Sequence, residues 1–160
     1  MAFAEAKGMG PAEVNQLRSR RDELYLNLVN TQAKVIEGVE DVLSGLYGKY
    51  LMGVVTSSKR KHFESVHRKI GLMEYFTFVL TGEDYSKFKP DPEPYLIAIQ
   101  RTGLNKEECI AVEDSEGELI SATTAGLKCI VIPNGLTRSQ KFHGAYRILQ
   151  SIRELPMELA

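Results

Sequence analysis

The run Cys109-Ile110-Ala111-Val112-Glu113-Asp114-Ser115 places two carboxylates and a hydroxyl directly after a short apolar stretch. Four apolar residues bounded by polar ones read as a strand buried on both faces, the kind found in parallel sheets. Adjacent carboxylates at the end of such a strand repel unless a cation or hydrogen-bond donors sit between them. Oxygen-only ligands of this kind suit Mg2+. Asp114 or Ser115 could equally serve as an ordinary helix cap.

Outward from this strand, apolar runs alternate with helical periodicity. Leu51–Val55, Phe76–Thr81 and Lys128–Ile132 read as further strands, and Ala145–Leu149 as a short edge strand. Helices are expected over Ala12–Asn30, after Glu37-Gly38, over Lys59–Ile70, from Asp91-Pro92 through Gln100, and from Ser115 to Gly126. In the first, Val14, Leu17, Leu24 and Leu28 form one apolar face. Thr56-Ser57-Ser58 can cap the third, and Ser151–Leu155 suggests a terminal turn. The pattern is that of an open α/β fold with a parallel sheet and flanking helices, in which ligands bind at the carboxyl ends of the strands.

Those strand ends carry the polar residues. Thr56, Ser57 and Ser58 offer hydroxyls and amides at a helix start, where partial positive charge favours an anion. Lys89 stands in Phe88-Lys89-Pro90-Asp91-Pro92, where two prolines stiffen the loop that aims it. Singly, each has an ordinary reading as a cap or a solvated charge. In order, at successive strand ends, they form one device: hydroxyl and lysine for a phosphate, carboxylates for a metal.

The ordered set resembles the haloacid dehalogenase (HAD) superfamily. Val54-Val55-Thr56-Ser57-Ser58 resembles its second motif and Lys89-Pro90-Asp91-Pro92-Glu93-Pro94-Tyr95 its third, in the form of the phosphoglycolate-phosphatase and β-phosphoglucomutase-like branch. Val112-Glu113-Asp114-Ser115 resembles the fourth. The resemblance implies a HAD-like (Rossmann-type) core over 36–160, with 1–35 as the remnant of a helical cap and its linker. It implies a Mg2+-dependent phosphatase or phosphomutase acting on a small phosphorylated metabolite through an aspartyl phosphate. Catalytic roles fall to Thr56 and Lys89, phosphate binding to Thr56, Ser57, Ser58 and Lys89, and metal binding to Glu113 and Asp114. Glu118 stands where many members have glycine; on a helix it shares a face with Asp114, which makes it a third candidate ligand.

The family's first motif is an apolar strand ending Asp-x-Asp-Gly, whose first aspartate is the nucleophile. The five aspartates here are Asp22, Asp41, Asp84, Asp91 and Asp114, and no two have that spacing. The expectation is therefore an α/β core lacking its first strand and most of the cap. The alternative to an enzyme is a catalytically inert, truncated protein that acts as a binding or assembly partner, or a gene fragment. The absent strand would leave an open sheet edge suited to a protein partner or to self-association; Met1–Lys7 is a weak internal candidate to fill it.

Composition agrees with a soluble α/β domain. The 160 residues are 43% hydrophobic and 26% charged, with a net charge of −1 and no long basic run. Neither nucleic acid nor membrane is expected as a partner, and a cytoplasmic location is. Cys109 and Cys129, each in an apolar run, read as buried reduced thiols.

Overall fold

The computed structural model describes residues 8–159; Met1–Lys7 lies outside that range. In chain order the elements are α1 (Pro11–Gln32), α2 (Val39–Leu46), β1 (Gly53–Val55), α3 (Arg60–Ile70), β2 (Phe78–Leu80), α4 (Glu93–Thr102), β3 (Ile110–Glu113), α5 (Glu116–Thr124), β4 (Lys128–Val131), β5 (Arg147–Ile148) and α6 (Leu155–Glu158). Every strand pair is parallel, and each crossover is helical or carries a long loop.

The strands form two sheets instead of one. β1 pairs with β2 in the register Val54–Val79. β3, β4 and β5 form the second, with Val112 opposite Ile130 and Val131 opposite Ile148. No backbone hydrogen bond joins β1 to β3 among the described residues. Each presents an open edge, and Val112 is 39% exposed although it lies mid-strand in an apolar run.

Both faces of the second sheet are covered. Tyr95, Ala111, Leu119, Ala122, Leu127, Cys129 and Val131 form one core, against which Val55 also packs. Val42, Leu46, Ile130, Leu149 and Leu155 form the other. β4, buried at Cys129, Ile130 and Val131, is the centre of this half, as an unbroken apolar run should be. Burial pushes the Cys129 thiol up to about 12, so it packs as a small apolar group. Cys109 is a free, half-buried thiol.

Two local expectations change. The α1 leucines do not face a core: Leu17, Leu24 and Leu28 are each at least half exposed, while Asp22 and Val29 are buried. The helix contacts α3 through a polar seam, so the apolar periodicity marks the opposite face. Nor do the Thr56–Ser58 hydroxyls cap α3. Its N-cap position is Lys59, and the Arg60 N–H is taken by Glu83, 2.8 Å away.

Candidate active site

The site lies at the carboxyl ends of β1 and β3. Thr56 continues the β1 ladder by donating its N–H to Leu80 O at 2.9 Å, while its hydroxyl accepts the Ser58 N–H at 3.2 Å. The Tyr85 phenol donates to Thr56 O at 2.9 Å and so fixes the turn after the strand. Gly82 is required opposite it: a Cβ there would stand 2.9 Å from Ser57 O. Ser57 and Ser58 line a cavity of about 480 Å3 together with Arg21, Lys59 and His62.

Lys89 is positioned by its loop. Glu93 at the start of α4 accepts the N–H groups of Ser86 and Lys87, and Ser121 of α5 donates to Asp91 O at 2.6 Å. The Lys89 side chain is 4% exposed. It donates to Val55 O at 3.1 Å and to Glu113 Oε1 at 2.6 Å, stands 3.5 Å from Glu118, and lies over the Tyr95 ring. Lys89 thereby bridges the ends of the two sheets.

Glu113 ends β3, Asp114 follows it, and Glu118 lies on the first turn of α5. One carboxylate oxygen from each lies within 4.8 Å of the others. Burial raises Glu113 to about 8 against the pull of Lys89. Asp114 is also raised, by burial and then by its neighbour Glu118. Burial works on Glu118 in the same sense, but Lys89 and hydrogen bonds from Asp114 and Ser115 bring it below the usual range. Crowded carboxylates, two of them with raised proton affinity, are what a cation would relieve. The three carboxylate oxygens are a hard donor set of the kind that holds a divalent cation such as Mg2+, and Glu113 and Asp114 also line a cleft of about 520 Å3.

The structure thus gathers Lys89, Glu113, Asp114 and Glu118 together, with Thr56 next to the Val55 carbonyl that Lys89 grips. Two neighbours carry no role in the sequence reading. Tyr95 is buried and donates its phenol to Glu113 Oε1. Asn134, after β4, donates to Asp114 Oδ2 at 2.5 Å. A buried tyrosine needs a partner for its hydroxyl, which was the available signal for Tyr95. Asn134 lies in Pro133-Asn134-Gly135, a strand-end loop by sequence, but no pattern there gives it a role.

Residues 5–132 match the family of haloacid dehalogenase-like hydrolases. The chain belongs to that family. It is 32% identical over 154 residues to YhcW of Bacillus subtilis, covering 96% of this chain and 68% of YhcW. To the phosphoglycolate phosphatase of Photorhabdus laumondii it is 30% identical over 121 residues, covering 75% of this chain and 52% of that enzyme. The crystal structure of CbbY from Rhodobacter sphaeroides in complex with phosphate superposes with a TM-score of 0.81 at 28% identity, covering 92% of this chain and 68% of CbbY. These similarities assign this HAD protein to the phosphatase group, in the phosphoglycolate-phosphatase-like branch. Among the described residues no helix is long and apolar enough to cross a membrane.

Proposed function

We propose that the site belongs to a Mg2+-dependent phosphohydrolase or phosphomutase for small phosphorylated metabolites, in which Thr56 and Lys89 bind the phosphoryl group and Glu113, Asp114 and Glu118 bind the metal. The observation that carries this reading is the Lys89 ammonium, buried and held against a cluster of three carboxylates at two strand ends. A fixed cation beside a metal site suits a reaction whose charge gathers on phosphoryl oxygens. Bound Mg2+ would supply further neutralisation of those oxygens. Lys89 orients one side of the group, the Thr56 hydroxyl donates from the β1 side, and Asn134 keeps Asp114 turned inward. The similarity to CbbY, which has been crystallised with xylulose-1,5-bisphosphate, supports a sugar-phosphate class of ligand.

The covalent step needs a carboxylate nucleophile. None of the five aspartates stands in an Asp-x-Asp pair, and Asp114 is engaged with Asn134. The 160 residues on their own are therefore expected to bind Mg2+ weakly and to turn over no aryl phosphate. Favouring the second reading, a non-catalytic binding or assembly protein, are the open edges of β1 and β3. Calorimetric titration with Mg2+ tests the site itself: Glu113→Gln and Asp114→Asn should each weaken binding at least about tenfold, since each deletes one charged ligand. Binding equal to the parent in both variants would refute the metal site. Mg2+-dependent turnover that Lys89→Ala abolishes would refute the expected inactivity.

A further inference from the structure

Each carboxylate of the acidic trio has one oxygen in use and one to spare. Glu113 Oε1 accepts from the Tyr95 phenol, and from the Lys89 ammonium at 2.6 Å. Asp114 Oδ2 accepts from Asn134 Nδ2 at 2.5 Å, and Glu118 Oε2 from the Ser115 hydroxyl at 2.9 Å. No donor among the described residues makes a hydrogen bond to Glu113 Oε2, Asp114 Oδ1 or Glu118 Oε1. The Lys89 ammonium has only an ion-pair contact with the last, at 3.5 Å.

The three neutral donors are themselves fixed. Tyr95 is 5% exposed on α4, and its ring lies under Lys89. Ser115 precedes α5 but makes no side-chain cap bond there, so its hydroxyl serves Glu118. Asn134 Oδ1 accepts the Leu136 N–H at 2.8 Å. The amide cannot flip without losing that bond, and Nδ2 is thereby aimed at Asp114. A carboxylate with one oxygen engaged offers a metal only the other. Mg2+ demands a compact octahedral shell, whereas Ca2+ takes more oxygens in a flexible one, often both from a single carboxylate.

We propose that Tyr95, Ser115 and Asn134 are positioning residues that hold Glu113, Glu118 and Asp114 to one oxygen each, and so make the site select Mg2+ over Ca2+. The proposal rests on the metal reading of these carboxylates given above. None of the three donors touches the ion; each acts through one carboxylate. Their weights differ. Asp114 and Glu118 each have a single side-chain hydrogen-bond donor, while Glu113 keeps Lys89 when the phenol is removed. Tyr95 should therefore matter least.

The test is a pair of titrations of the intact chain, one with Mg2+ and one with Ca2+, read by the amide NMR shifts of residues 113–118. The parent should bind Mg2+ more tightly. Ser115→Ala and Asn134→Ala should each weaken Mg2+ about tenfold, as loss of an outer-shell partner does, and leave Ca2+ within about twofold. Tyr95→Phe should lower the Mg2+/Ca2+ ratio by less. Ser115→Thr, which keeps the hydroxyl, should restore it. A merely structural role would lower both affinities in step, and an unchanged ratio in the Ser115 and Asn134 variants overturns the proposal. So does a parent that binds Ca2+ as tightly as Mg2+. Should Asn134→Ala disturb its loop, Ser115→Ala, with no cap bond to lose, still decides the matter. Glu113→Gln and Asp114→Asn separate the two readings. If they bind Mg2+ like the parent, the metal site itself fails; if they weaken it while the donor variants leave the ratio fixed, only the positioning fails.

Discussion

Replacing Lys89 with Met keeps the stem and removes only the charge. In the structure the ammonium serves Val55 O at 3.1 Å, Glu113 at 2.6 Å and Glu118 at 3.5 Å, with 4% of the side chain exposed. Removing one partner of a buried ion pair costs about 3–5 kcal/mol, because the other charge stays behind. The orphaned Val55 carbonyl adds about 1 kcal/mol or more. Two effects pull the total down: Glu118 is 28% exposed and can rehydrate, and Glu113 can take up a proton. About 3 kcal/mol near neutral pH is the expected loss, a large part of a typical stability of about 5–15 kcal/mol. Glu113 also sets the pH dependence. Burial lifts it to about 8 with Lys89 present, and without the ammonium it rises further. A carboxyl raised in the folded state destabilises the fold increasingly as pH climbs from its unfolded value towards its folded one. The deficit should therefore be larger at about pH 9 than at about pH 6, and millimolar Mg2+ should reduce it by supplying the missing cation. Urea unfolding followed by circular dichroism at both pH values, with and without Mg2+, measures this. A variant within about 0.5 kcal/mol of the parent at the higher pH, or a deficit that grows on acidification, would refute the role given to Lys89.

Asp84 accepts from Thr81 N and Oγ1 and from Arg60, and the Thr81 backbone bond is the main cause of its lowered pKa. Asp84→Asn should cost about 1–2 kcal/mol at neutral pH. That gap should close as pH falls through the folded Asp84 value, because a depressed carboxyl stabilises only while ionised; a gap that stays constant in acid melts would contradict this. Gly53→Ala should cost about 1–3 kcal/mol, since a Cβ there overlaps the Phe78 ring across the β1–β2 pair, and an unchanged urea midpoint would show that the ring yields freely. The open edges of β1 and β3 should make the chain associate as its concentration rises, visible in size-exclusion light scattering. A monomer that melts cooperatively above about 60 °C would count against that.

The strands were legible where residues alone decide them. Cys129–Val131 is apolar, ends in the β-branched pair Ile130-Val131 and is buried as its composition demands, and Gly71 and Gly126 end α3 and α5 near where the glycines predict. Lys89 and the Glu113-Asp114 pair were legible because their chemistry is confined to strand ends. Contacts made by distant segments were not. Asp22 meets Lys59 and Lys61 only when α1 lies on α3, so a leucine stripe outweighed it in the sequence. Asn134 meets Asp114 only because β4 runs parallel beside β3, and no local pattern carries that. The caps failed for a different reason: the Thr56 hydroxyl is used on the Ser58 N–H, two residues before α3 begins at Arg60.

Each sheet is drawn from a continuous stretch of chain, β1 and β2 from residues 53–80 and β3 to β5 from residues 110–148. Neither needs the other to complete its backbone ladders. The halves meet through Lys89 and through the packing of Val55 against the Tyr95 core. Most pairing is therefore relatively local, and folding speed follows locality more than stability. During synthesis the first sheet can form once residue 80 has emerged, before β3 has emerged beside it. The pairing of each sheet should therefore be under separate kinetic control, with docking of the halves the later event. Substitutions at Lys89 should then accelerate unfolding while leaving the folding rate nearly unchanged.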